Sequence, residues 1–420
     1  MKPPVTVLGI DSPIGLAVVR ELGGAGIEVH GIARDRRGIG LYSRHLARGY
    51  LRAGDGDALT AQLLDIARAS GAAFVMTVSM SDALAVRAAA DAGGLPGLRP
   101  LLAPAAKLEL VNDKSAICAI AERLGIAVPR TWEPARPDEA MPARLVFPCI
   151  LKWRDPEQVA AALDRLGLPM LKCERVEDEA GLRTALARYS AAGALPMVQT
   201  FCPGGGLGQM FLMKDGRALL RFQHRRLHEW PPEGGVSTLC ESVAPDANAA
   251  LMAKSEALLR EIGWEGPAMV EYRHDPATGA ATLMEINGRF WGSLPLASAA
   301  GARFALATYC ALGLGEEPPA RGYRAGLRCR YMVPETRRLL RVVFGRGAIV
   351  GYSRRSGPAR ELLRYFAGFR GSRFYVFSLS DPLPFLADIA FMAREALRSV
   401  AARLRQGRTR TQPAPAPLKR

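Results

Sequence analysis

The stretch Leu283-Met284-Glu285-Ile286-Asn287-Gly288-Arg289, read together with Met269-Val270-Glu271-Tyr272 upstream, decides the fold of this 420-residue chain. Polar and apolar residues alternate in both segments, and Asp275-Pro276-Ala277-Thr278-Gly279 between them carries turn chemistry. The pattern predicts a hairpin of two strands, Pro267 to Tyr272 and Thr282 to Ile286. Side chains alternate across a strand, so Glu285 and Asn287 point to one face, with Glu271 beside them across the hairpin. Three oxygen donors converge there. Two carboxylates and an amide carbonyl suit hard Mg2+, which also takes oxygens from a nucleoside triphosphate. Carboxylates on strands more often face solvent, but the flanking apolar residues and Arg289 weigh against that reading.

Around this hairpin the chain is ordinary globular protein, 49% hydrophobic and 23% charged, long enough for two or three domains. The composition excludes wholesale disorder, a collagen-like chain and a small disulfide scaffold. The net charge of +16 is placed unevenly: residues 321 to 420 hold 22 basic and 5 acidic side chains, and the remainder is close to neutral. A nucleic-acid enzyme with a basic cleft is therefore not expected. Seven cysteines without a CxxC pair fit a reducing compartment, and no run is long and apolar enough for a signal peptide or a membrane span. The expectation is a cytoplasmic protein.

Upstream, Val5 to Leu8, Ile27 to Ile32 and Ala73 to Val78 alternate with helical patterns over Ile14 to Ala25 and Ala58 to Ala69. That is the βαβαβ rhythm of a parallel, Rossmann-like sheet, hence an α/β fold. A helix is expected over Asn112 to Gly125 with Asn112 as its cap, and another around Glu179 to Ser190. Strands are expected over Leu145 to Lys152 and Met197 to Phe201, and a hairpin over Phe211 to Met213 and Ala218 to Phe222. The organisation reads as an N-terminal domain (1–104), a central domain (105–320), a basic C-terminal extension (321–411) and a disordered tail (412–420).

Several segments in this order resemble the ATP-grasp superfamily of carboxylate-amine ligases. Asn112-Asp113-Lys114, followed by a helix and Gly125-Ile126-Ala127-Val128-Pro129-Arg130-Thr131, looks like the family's first nucleotide lysine and the strand after it. Phe147-Pro148-Cys149-Ile150-Leu151-Lys152 looks like its second lysine strand, and Val198-Gln199-Thr200-Phe201-Cys202-Pro203-Gly204 like the hinge between its two ATP-binding lobes. The resemblance covers about residues 1 to 315, the N-terminal sheet being the family's preceding domain, and implies a two-lobed ATP-grasp core binding ATP with Mg2+ or Mn2+. It assigns Lys114 and Lys152 to the phosphates, Glu271, Glu285 and Asn287 to the metal, and Arg289 to charge developing on an acyl phosphate. Gln199 and Cys202 would act through backbone groups on the adenine edge, and Phe201 and Met284 would flank the ring. The implied partners are a small-molecule carboxylate and an amine. Departures from the family are the glycine-free Trp153 to Arg165, where relatives often carry a phosphate-covering loop, Thr200 where they often carry an acid, and Lys172 in Leu168-Pro169-Met170-Leu171-Lys172, a rival to Lys152.

The run Arg221 to Trp230 leads into Pro231-Pro232-Glu233-Gly234-Gly235, a cationic strand feeding a glycine loop suited to an anionic substrate or to closing N–H groups over phosphates. Arg225 and Arg226 alternate faces, so one of them points inward. His224 and His228 lack the Glu and the helix of a zinc protease motif, so zinc is not expected. In the C-terminal extension, basic and apolar residues intersperse over Pro384 to Gln406, which reads either as a helix packed on the core or as a peripheral contact with an anionic membrane. A homodimer is a further expectation. Two other functions stay open at this level: a nicotinamide-dependent oxidoreductase using Gly9 to Gly15, although Pro13 replaces the glycine expected there and no GxGxxG occurs, and a non-catalytic nucleotide-binding protein.

Overall fold

The computed structural model describes residues 2–154, 156–168, 173–231, 235–319, 322–344, 358–394 and 398. Strands β1 (Val5–Leu8), β2 (Val29–Ala33), β3 (Arg48–Leu51), β4 (Phe74–Thr77) and β5 (Arg99–Pro100) form a parallel sheet in the order β3-β2-β1-β4-β5. Helices α1 (Pro13–Gly23), α2 (Asp57–Ser70) and α3 (Met80–Asp91) lie between the strands in sequence. Every residue of β1 is buried, Val5 and Val7 in a cluster with α1 and Leu8 in one with α2 and α3, as expected for a sheet covered on both faces. The Gly9-to-Gly15 turn is tight: Ser12 caps α1, and a Cβ on Gly15 would fall 2.4 Å from the Gly9 carbonyl oxygen.

Helix α4 (Ala105–Asn112) ends where the sequence suggested a helix would begin. The cap of α5 (Lys114–Arg123) is Asp113, whose carboxylate accepts from the amides of Ser115 and Ala116 at 2.9 and 3.0 Å, so Asn112 is not the cap. Beyond it, β6 (Thr131–Trp132), β7 (Cys149–Lys152), β8 (Glu174–Val176) and β9 (Met197–Thr200) make an antiparallel sheet in the order β6-β9-β7-β8, with α6 (Pro156–Arg165) and α7 (Glu179–Tyr189) alongside. Leu182 and Leu186 of α7 pack on Cys149, Leu151, Val176 and Val198.

The third sheet carries the acidic hairpin. It contains β10 (Gly205–Lys214), β11 (Arg217–Trp230), β12 (Val236–Ser242), β13 (Gly266–His274) and β14 (Ala281–Asn287). One face packs on α8 (Ala249–Ile262) through Phe211, Val270, Tyr272, Leu283 and Ile286. Part of the other face, including Met210, Phe222 and Met269, joins α9 (Leu294–Ala300), α10 (Phe304–Thr308) and the N-terminal sheet in one continuous core. The hairpin expected at 211–222 is much longer: the whole cationic run is a single strand, paired with β10 on one side and β12 on the other. Central placement satisfies its backbone groups without help from side chains.

The C-terminal extension is woven into this sheet. Its strand β15 (Arg328–Arg330) pairs with β12, and after α11 (Met332–Phe344) and α12 (Pro358–Ala367) the strand β16 (Ser372–Phe374) pairs with β15, giving the order β14-β13-β10-β11-β12-β15-β16. Residues 383–394 are helical, and the tail expected at 412–420 lies outside the described residues. Among the described residues, no helix is long and apolar enough to cross a membrane. All seven cysteines are free.

Candidate functional site

Glu271 stands directly opposite Glu285 across β13 and β14, and Met269 opposite Asn287. Register and alternation therefore bring the three oxygen-bearing side chains onto one face, as the sequence pattern required. The Asn287 amide donates to Glu285 Oε1 at 3.2 Å, and its Oδ1 accepts from Arg289 Nη2 at 3.1 Å. Arg289 also donates to the Phe290 carbonyl at 2.9 Å. Burial lowers the guanidinium's pKa from its ordinary value, while the charges of Glu285 and Glu271 oppose that shift. Gly288 makes the turn between Asn287 and Arg289 feasible, because a Cβ there would lie 2.4 Å from the Trp264 ring.

Lys114, at the first turn of α5, brings its ammonium to 4.0 Å from Glu285 Oε2. Lys152 comes from β7 in the other lobe, yet its pKa is lowered first by burial and then by the charge of Lys114, with Glu285 and Glu271 acting the other way. The two lysines and two glutamates thus form one electrostatic group drawn from α5, the small sheet and the acidic hairpin. Lys172, the rival lysine, lies outside the described residues.

Arg226 is the inward residue of the arginine pair. It donates to Glu271 Oε2 at 2.6 Å and reaches Glu229 and the Gly235 carbonyl at 3.5 Å each. Burial disfavours its charge, but the carboxylates of Glu271 and Glu229 outweigh that and raise its pKa. Arg225 is turned to the opposite face, where it is more than half exposed and pairs with Glu241 at 2.5 Å, so it does not join this group. Gly235 is buried against Trp230, and Gly234 lies outside the described residues.

The segment expected to form a hinge, Gln199 to Cys202, lies at the end of β9. Gln199, opposite Ile150 on β7, is buried and donates to Thr131 Oγ1 at 2.9 Å. Phe201 lies under the Arg175 guanidinium, 4.4 Å from its ring centroid. Cys202 is half-buried, its thiol pKa raised by burial and its side chain bonded to Thr282 at the start of β14, so this segment abuts the strand carrying Glu285. Met284 is half-buried, and with Lys114, Ile117 and Glu285 it lines a crevice between α5 and β14.

His224 and His228 do not form a metal pair. His224 is fully buried, bonded to Ser293 Oγ at 2.7 Å, and pushed down to about 3 by burial and the charge of Arg226. His228 binds Glu335 of α11 at 2.6 Å. Among the described residues no group of three His, Cys, Asp or Glu side chains is placed to hold a metal. The donor set here is two carboxylates with an asparagine amide.

No protein-family profile matches the chain, and no curated protein does. Solved structures do match. The L-amino acid ligase from Bacillus licheniformis aligns with a TM-score of 0.55 and 17% identity over 74% of each chain. Biotin carboxylase from Campylobacter jejuni, in a β-γ-ATP complex, aligns at 0.58 and 14% identity over 77% of this chain and 74% of its own. N5-carboxyaminoimidazole ribonucleotide synthetase, in an ADP complex, aligns at 0.58 and 13% identity over 78% of this chain and 81% of its own.

The chain has the ATP-grasp fold. At these identities the likeness speaks for architecture, and the resemblance inferred from the motifs stands at that level. Of the residues anticipated from sequence, those described gather between the small sheet and the acidic hairpin, apart from Arg225. Sequence reasoning missed Glu229, Arg175 and, in β10, Gly206 and Gly208. A Cβ at Gly206 would meet Arg226 Cδ at 2.6 Å, and one at Gly208 would meet His224 Nε2 at 2.7 Å. The available signal was the run Gly204-Gly205-Gly206-Leu207-Gly208 inside a strand, which marks a close approach of another group to the backbone.

Proposed function

We propose that the protein is an ATP-dependent ligase that activates a carboxylate as an acyl phosphate and joins it to an amine, releasing ADP and phosphate. The observation that carries this reading is the meeting of Glu271, Glu285, Asn287 and Arg289 from one sheet with Lys114 and with Lys152 from the other lobe. Phosphoryl transfer needs positioning and charge neutralisation rather than a protein nucleophile, and this group offers both.

The donor chemistry fits Mg2+: Glu271, Glu285 and Asn287 present hard oxygens side by side, with cations next to them that a phosphate chain can engage instead. Mg2+ held by these three residues would supply charge neutralisation at the phosphoryl oxygens. Lys114 and Lys152 bind phosphate oxygens as point charges, and an arriving phosphate offsets the repulsion between them. A substrate carboxylate oxygen attacks the γ-phosphorus as the bond to ADP breaks. Arg289 stabilises the charge on the acyl phosphate. The amine nitrogen then attacks the acyl carbon, loses a proton and expels phosphate. Arg226 links Glu271 to the Gly235 carbonyl and so orients a metal carboxylate. Gln199, Phe201, Cys202 and Met284 line the adenine end, with Phe201 held by Arg175.

The test is Glu285→Gln in the full chain, with candidate carboxylate and amine pairs screened on the wild type. Carboxylate-dependent ADP release is expected to disappear while circular dichroism and the unfolding midpoint stay at wild-type values. Retained turnover would refute the metal assignment.

A further inference from the structure

The C-terminal helices bury acidic side chains and leave large apolar ones exposed. On α11 the buried side, turned to β11 and β12, carries Pro334 and Leu339 together with the charged pair Glu335 and Arg338, whereas Arg337, Leu340, Arg341 and Phe344 recur at spacings of three and four on the exposed side. On α12 the buried residues are Glu361 and Tyr365, and Leu363 and Phe366 face outward among the exposed Arg360 and Arg364. Leu363, Phe366 and Phe344 are 69%, 64% and 74% exposed, far beyond what a helix packed for stability leaves open. Leu383 and Leu386 of the following helical run are more than half exposed as well.

The acids of this region are turned inward. Residues 322–394 contain four acidic side chains; Glu335, Glu361 and Asp381 are buried, and Asp388 is half-buried near Arg337. Glu335 holds His228, Thr238 and Arg338, Glu361 holds Arg338 and Arg364, and Asp381 holds Arg20 and Ser43. The outward surface is thereby left with large apolar side chains set among arginines. Two copies apposed through such a face would bring like charges together, whereas an anionic lipid surface complements both components.

We propose that the outer face of α11, α12 and residues 383–394 docks on anionic membrane surfaces, with leucine and phenylalanine entering the interface and arginine meeting the headgroups. The docking is peripheral, and it depends on charge and apolar contact together.

The experiment is vesicle co-sedimentation of the full-length protein, using phosphatidylcholine vesicles with and without phosphatidylserine. Binding is expected to the phosphatidylserine vesicles and to weaken as salt screens the arginines. The double variant Leu363→Glu, Phe366→Glu should lower that partitioning by roughly tenfold or more, and Arg360→Glu should lower it in the same direction. Both sets of positions are exposed, so unfolding midpoints should remain at wild-type values. Absence of binding, equal binding to neutral vesicles, or undiminished binding by a folded double variant would each overturn the proposal. So would a concentration-dependent dimer that the Leu363→Glu, Phe366→Glu variant abolishes, since it would make a second copy the occupant.

Discussion

Arg226 reaches Glu271 because the strand between them carries no side chain at the crossing point. Gly206 leaves the guanidinium stem a path over β10, where a Cβ would sit 2.6 Å from Arg226 Cδ. Gly206→Val should therefore displace Arg226 from Glu271 and cost about 1–3 kcal/mol through overpacking. Under the proposed ligase reaction it should also reduce ADP release at least about tenfold, a loss of one 1.4 kcal/mol step in transition-state stabilisation. Urea unfolding and the ADP assay would measure the two effects separately. Glu285 and Asn287 were legible as a same-face pair because alternation along a strand is a local property of the chain. The inward direction of Arg226 was not, because β11 shifts register between Arg226 and His228 and again before Glu229, and such irregularities follow from pairing with β12.

At the scale of elements, helices are held by buried acids. Glu335 pins α11 to β11 and β12 through His228 and Thr238, and its carboxyl stays below the usual range because His228 and Arg338 outweigh its burial. Glu335→Ala removes that partner from buried Arg338 and should destabilise by about 3–5 kcal/mol, as breaking a buried ion pair does. Arg341→Ala on the exposed side of the same helix should change stability by about 0.5 kcal/mol or less, and thermal unfolding of both variants provides the comparison. Glu21 of α1 joins the N-terminal domain to α9 and α10, accepting from the Ser298 hydroxyl and from the amides of Ala305 and Leu306. Burial pushes its pKa up to about 7 from an ordinary 4.5. The folded protein thus keeps a proton that the unfolded chain releases, so the Glu21 contribution is complete below pH 4.5 and is lost as pH rises toward 7. Unfolding free energies at pH 5 and pH 8 should show that decline in the wild type and a smaller one in Glu21→Gln.

For the whole molecule, a site assembled from two lobes should couple ligand binding to global stability. MgATP at about 100 times its dissociation constant should raise unfolding stability by roughly 2.7 kcal/mol. That gain should shrink when magnesium is chelated, and scanning calorimetry with and without chelator would show it. A nicotinamide cofactor should produce no comparable shift. The parallel N-terminal sheet, the acidic hairpin and the strands ending at Lys152 and Thr200 were readable from the chain because each is specified within a short window, by hydrophobic period or turn residues. Asn112 and Asp113 are both competent caps one position apart, so the boundary between α4 and α5 was beyond pattern reading. The three-residue strands β15 and β16 carry too little periodicity to be seen at all, and they exist because β12 offers an edge to β15 and β15 offers one to β16.

By itself, then, the sequence determined the chemical inventory and the local geometry of this protein: which strand bears the carboxylates, which lysines precede it, and where the basic residues concentrate. Tertiary structure alone decided that Arg226 and not Arg225 meets Glu271, that Lys152 shares a field with Lys114, and that Glu335, Glu361 and Asp381 are buried while Phe344, Leu363 and Phe366 are exposed. The division has a physical basis. Periodicity and turn chemistry act between near neighbours in the chain, whereas the side chain a residue meets across a sheet depends on register and burial set by other strands, as Glu271 lies 45 positions from Arg226.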